Sequence, residues 1–208
     1  MKKVYVLVVL FFLVNLLALG QDPFNKSELK KISQAACSSI FNCNVRMDFD
    51  KHSNKIKIYQ KKPLNYTGGS LTFGFYLTKS GDKLIKRKFL KVVYNGSNWR
   101  FIERIDLTLG FMKDGDENKM QNLSIHLSHV NRVVNSGGSV SETAYVTVNN
   151  DIERFFRERF EDERFLSVKV IGEDTYYTAG IFGKAPRKKI KDLFQLYDNE
   201  YNENFLNH

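Results

Sequence analysis

The sequence is poor in the residues that usually announce chemistry. It holds two cysteines, three prolines, four histidines and one tryptophan among 208 residues. Two cysteines exclude a disulfide-dense miniprotein and a cysteine-rich zinc site. No fixed period recurs along the chain, which excludes a solenoid or propeller. Neither a G-x-x-x-x-G-K loop nor a G-x-G-x-x-G loop is present, so nucleotide binding has no support. There is no G-x-S-x-G elbow for a serine nucleophile. The oxygen-rich stretch around Asp114, Asp116 and Glu117 lacks the spacing and closing glutamate of a calcium loop. His126 and His129 are the only close histidine pair. On a strand, residues three apart point to opposite faces and cannot share a metal. We therefore expect no metal and no cofactor.

What the chain does contain is enough apolar matter for one core. Apolar residues make up 42% and aromatics 13%, with 17 Phe and 10 Tyr. The length suits a single domain. The N-terminus reads as a signal peptide over residues 1–20: Lys2 and Lys3 precede an apolar run broken only by Asn15, and Ala18 and Gly20 supply small residues for cleavage before Gln21. That run is shorter than the ~20 residues a spanning helix needs, and no second apolar run follows. The expectation is a periplasmic or secreted protein of residues 21–208 with no transmembrane segment. Loss of Lys2 and Lys3 takes the formal charge from +9 to +7. In an oxidising compartment Cys37 and Cys43 can form one disulfide across a short loop.

Period then assigns the elements. Leu29, Ile32, Ala36 and Ile40 recur at helical spacing, predicting a helix over 27–41 capped by Ser27. Val45, Met47 and Phe49 alternate with polar residues, and 55–60 supplies a partner strand. Leu71, Phe73, Phe75 and Leu77 form the cleanest alternation, with Thr72, Gly74, Tyr76 and Thr78 on the other face. Asn95-Gly96 is a strong hairpin signal, so residues 70–110 read as a three-stranded meander, with a bulge at Glu103. Residues 123–129 and 141–148 are further strand candidates. Ile152, Phe155, Phe156 and Phe160 predict a short helix near 151–162, capped by Asn150 or Asp151. Residues 166–171 and 176–182 read as a hairpin. Pro186 opens a last helix with Ile190, Leu193, Phe194 and Tyr197 on one face, and 201–208 is a polar tail. The fold class is α+β: an antiparallel sheet or small β-sandwich with N-terminal, short internal and C-terminal helices.

The basic runs are the most visible candidate site. Lys86, Arg87, Lys88 and Lys91 fall on one strand, Lys55 and Lys57 on another, with Lys61 and Lys62 just beyond it, and Arg187, Lys188 and Lys189 open the last helix. They point to an anionic partner, an acidic polysaccharide or lipid head groups, with nucleic acid not expected for an exported chain. The aromatic content offers a second reading, a carrier with an aromatic-lined pocket. A third is a hydrolase joining His126 or His129 to a carboxylate and a hydroxyl. The stretch Tyr94-Asn-Gly-Ser-Asn-Trp99-Arg-Phe-Ile102, followed by Val168-Lys-Val-Ile-Gly172 and Tyr176-Tyr177, resembles a pattern in uncharacterised exported bacterial proteins, over about residues 70–198. That resemblance implies a hairpin, a core tryptophan and a glycine-ended strand, and no activity. The expectation is a non-catalytic binding or structural module.

Overall fold

The computed structural model describes residues 24–36, 45–81, 83–111, 121–158, 164–173 and 176–181, with 190, 193, 194, 197 and 198. Residues 1–20, where a signal peptide is expected, and Cys37, Cys43 and Arg187 to Lys189 lie outside the described residues.

The chain opens on helix α1 (Lys26–Ala36). The expected cap moves two residues. Asn25, not Ser27, caps the helix: its Oδ1 accepts the Glu28 amide at 2.9 Å, and Glu28 Oε2 accepts the Asn25 amide at 2.8 Å. This reciprocal capping box satisfies two orphan donors at once. Strands β1 (Val45–Asp50) and β2 (Lys55–Gln60) then form the expected hairpin. Short β3 (Leu64–Tyr66), long β4 (Gly69–Ser80) and long β5 (Lys83–Gly96) follow.

The sequence misleads at Asn95-Gly96. These residues make no hairpin. They end β5, paired with Ser141 and Val140 of β9 (Val140–Thr147). The next strand, β6 (Ile102–Phe111), belongs to a second sheet. The meander is thus a β4–β5 pair only. The reason is a carboxylate from a distant strand. Glu142, on β9, accepts hydrogen bonds from the amides of Arg100, Phe101 and Ile102 at 2.6, 3.0 and 3.0 Å, which turns the chain away from the first sheet. Phe101 sits there at φ 50°, a region a bulky residue occupies only when its surroundings hold it.

The larger sheet runs β1-β2-β4-β5-β9-β8, with β3 beside β4 and β8 at Asn131–Val134. The smaller runs β11-β10-β6-β7, from β7 (Gln121–His126), β10 (Arg164–Gly172) and β11 (Tyr176–Ile181). All pairings are antiparallel. The bulge expected at Glu103 is present: Ile171 pairs Arg104 but Gly172 pairs Ile102, leaving Glu103 unopposed. Helix α2 (Asn150–Glu158) is capped by Asn149, one residue before the expected caps, its Oδ1 accepting the Ile152 amide at 2.9 Å. Ile190, Leu193, Phe194, Tyr197 and Asp198 are helical, as their spacing predicted.

One hydrophobic core joins these parts. It includes Ile56, Phe73, Phe75, Leu90 and Val92 from the large sheet, Ile105, Leu107, Val168 and Val170 from the small one, Ile32 of α1, Phe156 of α2, and Phe194. Phe73 meets Phe156 edge-on at 4.4 Å and Phe194 at 5.9 Å. The inner face of the large sheet is therefore covered by helices and the small sheet. Among the described residues nothing covers its outer face.

Candidate functional site

An uncovered sheet face normally carries polar side chains alone. Here it carries an aromatic floor. Strand alternation and register bring Tyr59 of β2, Gly74 and Tyr76 of β4, Phe89 of β5 and Tyr145 of β9 to the outer side. Phe89 pairs Gly74 across the strands. A Cβ on Gly74 would collide with the Phe89 ring and the Ile58 carbonyl, so only glycine lets that ring lie flat on the sheet. Tyr76 stands 4.6 Å from Phe89 and Tyr145 5.7 Å from it, centroid to centroid. Phe89 is buried in this floor although it stands outside the main core.

Lys57 occupies the centre. Its Nζ lies 4.6 Å from the Tyr145 ring centroid, 5.1 Å from Phe89, 5.4 Å from Tyr59 and 6.0 Å from Tyr76. It donates to the Tyr145 hydroxyl at 2.9 Å. Lys55 lies 5.2 Å from Tyr76, and Lys91 5.8 Å from Tyr145. Arg87 pairs Tyr76 across the strands and is exposed. The ring faces carry the negative lobe of the quadrupole, which is what holds these cations close. Among the described residues none of Lys55, Lys57, Arg87 and Lys91 forms an ion pair with a carboxylate. Asp48, opposite Lys57 on β1, instead accepts from the Tyr59 hydroxyl at 2.7 Å. Burial, and then that carboxylate, push the Tyr59 hydroxyl above its ordinary pKa. Burial, and then Tyr145, do the same for Tyr76. Both hydroxyls stay neutral donors near neutral pH.

The basic run of β5 is divided by the same alternation. Arg87 and Lys91 lie on the outer face; Lys86 and Lys88 lie on the inner one. Lys88 Nζ bonds Glu153 and sits 4.3 Å from the Tyr197 ring. Lys86 Nζ donates to the Tyr197 carbonyl at 3.1 Å, and burial lowers its pKa. These two lysines hold the C-terminal helical residues. The run predicted Arg87 and Lys91 as surface cations. Lys55 and Lys57 were legible as charge, but their grouping with four rings was not, because only the register brings four strands together. The available signal was the second face of β4, where Gly74 and Tyr76 replace the charged residues a solvated face would carry.

Among the described residues the histidines assemble no site. Register places His126, Ser124, Asp106 and Arg104 on the outer face of the small sheet. Asp106 is paired with Arg104, Nε to Oδ1 at 3.1 Å. Among the described residues the His126 side chain makes no hydrogen bond, and no group of three metal-ligating side chains occurs. No described helix is long and apolar enough to cross a membrane. Comparison with family models, with curated proteins and with solved structures found no match.

Proposed function

We propose that this chain is an exported, non-catalytic binding module that takes an anionic ligand on the outer face of its large sheet. One observation carries the reading: Lys55, Lys57, Arg87 and Lys91 share an uncovered face with four aromatic rings and have no ion-pair partner there. Cross-strand pairing explains why aromatic residues adjoin one another. It gives no reason for four cations without ion pairs. Asp48 and Asp50 lie opposite Lys57 and Lys55 on β1 but accept from the Tyr59 hydroxyl and from His52 and Ser53, and register sets no carboxylate opposite Arg87 or Lys91. A ligand carboxylate, sulfate or phosphate would pair with these cations.

The carrier reading draws no support from the interior, where Phe73, Phe75, Phe155, Phe156, Phe194 and Tyr197 pack against one another. The hydrolase reading would need a base bonded to a nucleophile, and the His126 side chain has no such bond among the described residues.

The test is a panel of polyanions against the purified chain by titration calorimetry. The double variant Lys57→Ala/Lys91→Ala should weaken binding about tenfold or more, as loss of two charge-assisted contacts implies. Lys26→Ala/Lys30→Ala removes the same charge from exposed positions on α1 and should change little. Equal losses in the two variants would reduce the effect to net charge and sink the reading.

A further inference from the structure

Resting on that anion-binding reading, we infer that the occupant of the outer face is an acidic polysaccharide, with a sugar ring on the exposed Tyr145 at the border of the Tyr76–Phe89 floor and its carboxylate or sulfate groups on Lys57 and its neighbours. Three features favour a sugar chain over a bare phosphate or a lipid head group.

The first is the pairing of cation and ring. A phosphate needs charge and donors, and gains nothing from rings beneath it. A pyranose presents a face of C–H groups with hydroxyls at its edge. The C–H face suits an aromatic surface, and the edge suits hydroxyl and ammonium groups. Tyr145 is 43% exposed and stands at the border of the floor. It is placed for such stacking, while its hydroxyl already orients Lys57.

The second is the rim. Thr78, Thr143 and Thr147 share the face by register with Lys55, Val93 and Phe89 respectively. With Ser141 and the tyrosine hydroxyls they give short donors and acceptors around the rings. Sugar hydroxyls match this inventory. Lipid tails do not.

The third is shape. The cations sit on strands β2 and β5, with β4 between them. Lys57 and Lys91 both reach the Tyr145 ring, at 4.6 and 5.8 Å, while Lys55 and Arg87 lie beside Tyr76, so the charges are spread over two adjoining rings rather than gathered round one point. The exposed large apolar residues of this face, Ile85 on β5, Val133 on β8 and Tyr145 on β9, are scattered over three strands rather than gathered into a wedge for a bilayer. Phe89 is 3% exposed and lies beneath Lys57, so the ring surface open to a ligand is that of Tyr145.

The experiment titrates the folded chain with polygalacturonate, inorganic polyphosphate, dextran, a single-stranded oligonucleotide and phosphatidylglycerol vesicles. Polygalacturonate should bind tightest and keep part of its affinity at high salt, where purely ionic binding collapses. Tyr145→Ala should weaken polygalacturonate about tenfold more than polyphosphate, and Tyr145→Phe should restore most of the loss. Ring resonances of Tyr145 and Tyr76 should shift with polygalacturonate in the unmodified protein, a readout that needs no variant. Polyphosphate, oligonucleotide or vesicles binding as tightly as polygalacturonate would overturn the sugar assignment and leave anion binding standing. So would equal losses in Tyr145→Ala for polygalacturonate and polyphosphate, or unshifted rings. Equal binding of neutral dextran, or no binding of any polyanion, would bring down the anion-binding reading itself.

Discussion

Glu142 shows how much one side chain can decide. Its carboxylate has no exposed surface, yet it is fully engaged by three successive backbone amides and by Arg132 Nε at 3.2 Å. A buried charge is tolerated only when so compensated. Arg132 also covers the exposed Phe101 ring at 5.1 Å, closing the corner where the chain passes between sheets. Glu142→Ala would strand three donors at this corner. Its unfolding free energy should fall by about 3–5 kcal/mol. Glu142→Gln keeps one acceptor oxygen and should lose less. Urea denaturation of both variants measures this, and a loss under about 1 kcal/mol for the alanine variant would refute the role.

At the scale of an element, α1 depends on a titratable cap. Burial works to raise the Glu28 pKa. The Asn25 amide and the Lys79 ammonium at 2.9 Å outweigh it and hold the carboxyl below its ordinary value. Because the folded group titrates lower than the unfolded one, its contribution is complete above the ordinary glutamate range. It is lost as the pH falls through the folded value. Acid should therefore loosen α1 from β4, and Glu28→Gln should flatten that acid limb while removing the tie to Lys79 at all pH values. Thermal melts across the acid range, wild type against variant, would show it; parallel curves would disprove it.

β5 illustrates the same scale differently. A strand turns a run of basic residues into two surfaces. The run Lys86-Arg87-Lys88 was legible as charge, but its division was not. Alternation was visible in Leu71, Phe73, Phe75 and Leu77, and it carried β4 correctly from sequence to structure. Two strands were missed for a local reason. β3 is only three residues long, too short for its buried Leu64 and Tyr66 to establish a period, and β8 is four residues exposed throughout, with no buried face to read.

For the whole molecule, the C-terminal helical residues serve as the closing piece of the core. Arg157 joins Glu153 at 2.6 Å and Asp198 at 2.6 Å, and its guanidinium lies 4.6 Å from the Phe194 ring. Burial disfavours its charge, but Asp198 and Glu153 more than offset this and raise its pKa. Lys88, Glu153 and Tyr197 complete the network. Lys88→Ala should cost about 1–3 kcal/mol, between the exposed and buried limits for an ion pair. Amide exchange at Leu193 and Phe194 should accelerate before that of β4. Uniform acceleration across the chain would argue against a separable closing helix.

The sequence by itself determined the fold class, the polar and apolar faces of β1, β2 and β4, the hairpins β1–β2 and β10–β11, and the bulge at Glu103. These are local properties, written in side-chain period and turn residues. Tertiary structure decided which strands share a sheet, because the Glu142 carboxylate reaches across forty residues to override the Asn95-Gly96 signal. It also decided the candidate site, because Lys57, Tyr76, Phe89 and Tyr145 meet only through the register of four strands.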